Sequence, residues 1–203
     1  MNKLAIITAA FALIVTAGIA ATSVAPKTPS TRNEGLMMPK APADSLLKRG
    51  EYLVTIMGCD DCHTPKKMGP HGPEPDASRR FMGHPANQPL ARIDTAALRG
   101  WVLFDMGQTA AVGPWGISYA ANISSDATGI GSWTEAQFFT AIRKGKFKGL
   151  EASRPMLPPM PWTQYAKASD EDLKAIFAYL KSSRPMANVV PQAVPPTQIL
   201  SLK

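Results

Sequence analysis

The sequence predicts a mainly α domain, with three core helices and one long irregular loop. Three observations point there. Apolar residues recur at helical spacing in three separate segments, each introduced by a capping residue. No segment shows the two-residue alternation of a strand. The stretch from His63 to Ser132 is dominated by Gly, Pro, Asn and Asp, as in GPHGPEPDASRR and ANISSDATGIGSW. A chain of 203 residues accommodates one ordinary domain. Its 19 prolines and 15 glycines leave the packed part smaller than the chain, because an interior proline removes a helix hydrogen bond and clashes with the preceding turn.

The first helix is expected over Asp44 to Met57, capped by Asp44 or Ser45, with Leu46, Leu47, Gly50, Leu53, Val54 and Met57 on one broad face. A glycine inside a helix costs roughly 1 kcal/mol against alanine, so Gly50 suggests another helix crossing closely over it. The second runs from about Thr134 to Lys144. Ser132 with Glu135, or Thr134 with Gln137, forms its capping box; Phe138, Phe139 and Ile142 make its apolar stripe, and Gly145 ends it. The third opens at Ser169 with Asp172, carries Leu173, Ile176, Phe177 and Leu180 at i, i+3, i+4 and i+7, and closes before Pro185.

The ends read differently. Lys3 precedes a run from Leu4 to Ala21 that is apolar apart from Thr8 and Thr16, followed by small residues, so residues 1–25 are expected to be a signal peptide or a membrane anchor. Residues 26–43 form a Pro-rich tether, 44–183 the domain, and 184–203 a Pro-rich C-terminal tail, on the surface or disordered.

Cys59-Asp60-Asp61-Cys62-His63 follows the first helix directly and uses both cysteines of the chain. C-x-x-C-H is the haem attachment signature: two thiols at that spacing form thioethers to two vinyl groups, and the adjoining imidazole is aimed at the iron. Three other chemistries compete. A thioredoxin-like dithiol needs a βαβ context that the pattern lacks, a zinc site needs two more ligands at close spacing, and a small structural disulfide has no use for His63. A long loop inside a small domain is reasonable when it wraps a large apolar ligand.

With these residues in view, the segment from about Ser45 to Ser183 resembles the class I cytochrome c family. The likeness rests on the glycine-containing helix ending in Cys59-x-x-Cys62-His63, a methionine in a proline-bounded loop, and the closing Asp172-Leu173-Lys174-Ala175-Ile176 and Ala178-Tyr179-Leu180 pattern. It implies the class I cytochrome c fold, three core helices around one haem, with the first and last helices crossing and Gly50 opposite the Phe177 and Tyr179 region. More narrowly, Asn122-Ile123-Ser124-Ser125-Asp126, Gly129-Ile130-Gly131-Ser132-Trp133 and Met160-Pro161-Trp162 are similar to monohaem modules in the cytochrome subunits of bacterial dehydrogenases. Those subunits often carry three such modules, whereas this chain has one motif.

His63 then supplies one axial ligand. For the second, Met156 and Met160 lie in RPMLPPMPW between the second and third helices, stiffened by Pro158, Pro159 and Pro161. Family placement and context favour Met160 over Met156, with Met68, Met82, Met106 and Met186 as ordinary gap-filling methionines and His71 and His84 as alternative nitrogen donors. A thioether opposite an imidazole fills both axial positions, which suits electron transfer rather than binding of oxygen or peroxide. Trp133, Trp162 and Tyr165 are candidates to pack on the ring edge or to bond a propionate; core residues leave the same signature.

The formal charge is +7, or +6 without residues 1–25. It favours a protein redox partner with an acidic docking surface or a membrane face; no arginine-rich run interleaved with aromatics supports nucleic acid. Arg143, Lys144, Lys146 and Lys148 are the candidate docking cations, and equally they complement the helix dipole. The reading is one covalent haem c held by Cys59, Cys62, His63 and Met160 in an electron carrier, not an enzyme. It is expected in the periplasm, soluble after signal cleavage or tethered to the inner membrane. Two rivals are a haem-containing subunit of a dehydrogenase or oxidase complex, and a haem peroxidase or gas sensor with a labile sixth ligand.

Overall fold

A computed structural model describes residues 43–199. Helix α1 (Ala43–Ile56) presents Gly50, Leu53 and Val54 inward, and after Gly58 a single helical turn, α2 (Cys59–His63), carries the cysteine motif. Two small sheets follow: β1 (Lys66–Gly69) with β2 (Gly72–Pro75), then β3 (Leu103–Phe104), β4 (Ala110–Gly113) and β5 (Gly116–Tyr119), all antiparallel in sequence order. Helices α3 (Glu135–Lys144), α4 (Trp162–Tyr165), α5 (Asp170–Ser182) and α6 (Pro196–Ile199) complete the order.

The mainly α expectation is therefore corrected to a mixed α and β architecture. The strands escaped the pattern for physical reasons. Each has two to four residues, too short for a period to register. β2 contains Pro73 and Pro75, tolerable only because its ladder has a single neighbour. β4 is buried throughout and so shows no alternation.

The helices follow their local chemistry. Thr134 caps α3, its hydroxyl accepting from the Gln137 N–H at 3.1 Å; the Gln137 side chain does not close the box but donates to the Lys148 carbonyl at 2.8 Å. Ser169 caps α5 by accepting from the Asp172 N–H at 3.0 Å, and three acidic residues fill its first turn, where the helix dipole favours them.

The main core joins Leu53 and Val54 of α1, Phe138 and Ile142 of α3, and Leu173, Ala175, Ile176 and Leu180 of α5, with Phe81 and Ile130 from the intervening chain. Helices α1 and α5 make the central crossing. A side-chain carbon on Gly50 would lie 2.1 Å from the Ala175 carbonyl oxygen and 2.7 Å from the Tyr179 Cβ. Gly50 thus meets Ala175 and Tyr179 rather than Phe177, which instead stacks on Phe138 of α3 at 5.1 Å between ring centroids. A second, smaller core gathers Val112, Ile117 and Ile199 under the three-stranded sheet.

The segment after α5 runs along the domain. Val194 bridges to Ile117 by two backbone hydrogen bonds of 2.8 and 3.0 Å, and Asn188 is buried. Among the described residues no helix is long and apolar enough to cross a membrane. The expected signal peptide or anchor over 1–25, and the tether to residue 42, lie outside the described residues.

Candidate haem site

Cys59 and Cys62 are free thiols one helical turn apart on α2, with His63 next to the second, so the motif presents both sulfurs on one side of a short helix. Gly58 starts this turn in the left-handed region, at φ 66°, and lets α1 end abruptly before it. Beyond the turn, the Lys66 ammonium donates to the carbonyls of Asp61 at 2.7 Å, Thr64 at 2.9 Å and Asp60 at 3.2 Å. A cation over the carbonyl end of a helix satisfies groups that have no partner within it.

The environment of the thiols disfavours their charged form. Burial, and after it the Asp60 carboxylate, pushes the Cys59 thiol up to about 12; burial also raises Cys62. A reactive dithiol needs a depressed pKa, so these cysteines are poor exchange nucleophiles. Among the described residues no group of three or more His, Cys, Asp or Glu converges as a metal-binding cluster, which leaves a zinc site without its donors.

His63 is buried, and its Nδ1 lies 2.7 Å from the carbonyl oxygen of Ala121. A carbonyl only accepts, so Nδ1 carries the proton and the lone pair sits on Nε2. Burial lowers the His63 pKa, against the opposing pull of the Ala121 bond and Asp60, and keeps the ring neutral. No hydrogen bond is made by Nε2, yet no buried side-chain nitrogen or oxygen of the described residues lacks a partner, so Nε2 is unengaged and not fully sealed from solvent. A neutral imidazole with one nitrogen tied to a carbonyl and the other open is the form that binds a metal. Together with two free sulfurs at the attachment spacing, these residues fit a covalent haem.

Two segments hold His63 in place. Gly83 donates its N–H to the His63 carbonyl at 2.9 Å, His84 to Ala120 at 3.0 Å, and Ile123 to Phe81 at 2.9 Å, so residues 81–84 and 120–123 bracket the imidazole. Asn122 and Asn188 knot these segments together. The Asn122 amide donates to the Met186 carbonyl at 2.7 Å and accepts from the Ser124 hydroxyl at 2.7 Å. Asn188 donates to the carbonyls of Met82 at 2.7 Å and His84 at 2.9 Å and accepts from the Ala86 N–H at 2.9 Å. Residue type alone marks none of Arg80, Ala121, Asn122 and Asn188 as part of the site. A backbone carbonyl leaves no trace in residue type, and Asn188 is more than 100 residues from the chain it fastens.

The methionines separate by place. Met160 packs against the main core together with Cys59, Met57 and Tyr165. Met156 donates its backbone N–H to Gly145 at 2.6 Å and is absent from that core. The loop between them is pinned to β5, where the Ser118 hydroxyl donates to the Pro158 carbonyl at 2.6 Å. Gly145, at φ 61°, caps α3 with the Trp162 ring 2.4 Å from where a side chain would begin, so the helix end and the methionine loop meet without space for a side chain. Met68 and Met106 are 75% and 83% exposed. His71 is exposed, and both ring nitrogens of His84 are engaged, Nδ1 with the Thr109 hydroxyl at 2.8 Å and Nε2 with the Gln88 carbonyl at 3.1 Å. The Tyr165 hydroxyl donates to the Met57 carbonyl at 2.6 Å, and burial pushes its pKa up to about 12.

Asp60, inside the motif, has its pKa raised by burial but lowered overall by the Arg80 guanidinium, the Thr64 hydroxyl and Lys66. A carboxyl with a depressed folded-state pKa stabilises the fold above its unfolded value, near 4, and that contribution vanishes as the pH falls through the folded value. Urea unfolding of the wild type should therefore lose stability below about pH 4, and Asp60→Asn should flatten this part of the profile while lowering stability at pH 7.

No family model matches the chain. Its curated relatives include the gluconate 2-dehydrogenase cytochrome c subunit of Pantoea cypripedii, 33% identical over 67% of this chain and 23% of the relative. The cytochrome c subunit of the quinone-type alcohol dehydrogenase of Gluconacetobacter polyoxogenes is 36% identical over 79% of this chain and 27% of its own length. The fructose dehydrogenase cytochrome subunit of Gluconobacter japonicus is 28% identical over 66% and 20%. The chain thus spans only about a fifth to a quarter of the length of these relatives. On the attachment motif, the neutral imidazole and these relatives together, the chain is a cytochrome c module related to the cytochrome c subunits of bacterial dehydrogenases.

Proposed function

We propose that this chain is an electron carrier with a single haem c, attached through Cys59 and Cys62 and ligated by His63 and Met160. The observation that carries the reading is the Nδ1–H of His63 on the Ala121 carbonyl, which leaves Nε2 as a free lone pair beside two unpaired thiols. When bound, the haem supplies a reversible one-electron couple. The protein's part is to orient the imidazole, to bury the ring among apolar side chains, and to offer a thioether from a loop fastened by Ser118 and Gly145. The test is the purified full chain. Its mass after denaturation should exceed the polypeptide by one haem, and neither thiol should react with iodoacetamide. Recovery of two free thiols at the bare polypeptide mass would refute the proposal.

The partner is a protein with an acidic surface. Arg143 and Lys144 are consumed by ion pairs to Asp170 and Glu151, each at 2.5 Å. Lys146, Lys148 and Arg154 have no ion pair among the described residues; Arg154 lies over the Phe147 ring at 3.9 Å, and Leu150 in the same segment is exposed. Lys146 and Arg154 donate only to backbone carbonyls, of Ser153 and Pro155, and cations left without an acidic partner steer an anionic protein into contact. Charge reversal at Lys148 and Arg154 should slow electron transfer to the partner about tenfold at low ionic strength and flatten its salt dependence; stopped-flow oxidation across a salt series checks this. The names of the relatives favour a second reading of the same chemistry, in which the chain serves a dehydrogenase as its haem subunit. Co-purification with a larger catalytic subunit is then expected.

A further inference from the structure

Arg80 is bound on three sides. Its Nε and Nη2 donate to both carboxylate oxygens of Asp60 at 2.6 to 3.1 Å, its Nη1 donates to the Tyr179 hydroxyl at 2.8 Å, and its plane lies 4.3 Å from the Phe81 ring centroid. Asp60 is the residue after Cys59. It also accepts from the Thr64 hydroxyl at 2.7 Å, whose oxygen in turn accepts from the Phe81 N–H at 3.1 Å. Tyr179 stands at the crossing over Gly50. One guanidinium therefore joins the cysteine turn, the segment that brackets His63, and helix α5.

We propose that Arg80 is a positioning residue for the haem: it fixes the Cys59–His63 turn on α5 and cancels the charge of Asp60 beside the attachment cysteine. This rests on the covalent haem of the proposed function. Only arginine presents a flat fork to a carboxylate and a further donor to a phenol; lysine keeps the charge and loses the geometry. An uncompensated carboxylate near the ring stabilises ferric iron, and an uncompensated guanidinium stabilises ferrous iron.

The experiment is spectroelectrochemical titration of the haem-loaded full chain as Arg80→Leu, Asp60→Asn, the double variant and Arg80→Lys. Arg80→Leu should shift the ferric-to-ferrous ratio at fixed solution potential about tenfold toward ferric, which is about 59 mV for one electron. Asp60→Asn should shift it about tenfold the other way, and the double variant should return to within about threefold of wild type. Arg80→Lys should keep the potential within about threefold while amide exchange at Phe81 and Gly83 quickens about tenfold. Unchanged potentials in both single variants, or a double variant that stays displaced from wild type by about tenfold or more, would overturn the proposal. If Arg80→Leu does not fold, the isosteric Asp60→Asn still decides the sign. A wild type without haem would end the functional reading separately, and amide exchange in wild type and Arg80→Lys would still judge the positioning half: equal rates at Phe81 and Gly83 refute it.

Discussion

Gly50→Ala should destabilise the protein, although alanine is the better helix former. Intrinsic propensity would gain about 1 kcal/mol from the substitution. Against it, the new methyl would begin 2.1 Å from the Ala175 carbonyl oxygen, a backbone atom that cannot rotate away, with the Tyr179 Cβ at 2.7 Å. Forced overpacking costs typically 1–3 kcal/mol and more where backbone must shift, so a net loss of about 2 kcal/mol is expected. For a domain of this length that corresponds to a fall of about 4–8 °C in Tm, measured by circular dichroism on the haem-loaded chain. Gly50→Leu should lose several times as much and drive α1 from α5, taking the cysteine turn with it. A stabilised Gly50→Ala would mean that the two helices do not meet as described.

Met160→Ala should leave the haem covalently attached but remove the sulfur-to-iron charge-transfer band of the oxidised protein. It should turn the iron high-spin or hand the sixth position to water, and lower the reduction potential, because a thioether opposite imidazole favours ferrous iron. Cyanide, which competes poorly with a closed six-coordinate iron, should then bind the variant at least about a hundredfold faster than wild type. Met156→Ala should change none of these, since Met156 is held by its backbone on Gly145 outside the core that contains Met160. Loss of the band in Met156→Ala alone would transfer the ligand assignment. High-spin iron in the wild type would favour the peroxidase or gas-sensor reading.

Stability and the proposed haem attachment are coupled by proximity. Cys59 and Met160 pack against the same core that joins α1, α3 and α5, so a lesion in one place is felt in the other. Leu173, 1% exposed, sits at that junction, and its truncation to alanine should cost about 2–5 kcal/mol and lower the haem-loaded yield.

By itself the sequence determined the pieces whose chemistry is local. A C-x-x-C-H string, a helix with a glycine among its apolar positions, and caps at Thr134 and Ser169 each act within a few residues, and each was legible there. The tertiary structure decided what depends on distant partners. Strands of two to four residues exist because the chain after α5 and a neighbouring strand pair with them, not because their own pattern demands it. Ala121 became the acceptor for His63 through a backbone carbonyl, which no side chain encodes, and Arg80 found Asp60 twenty residues back and Tyr179 ninety-nine ahead. Periodicity and capping are short-range properties of the chain; the bonds that orient an imidazole come from segments brought together only when the apolar core closes.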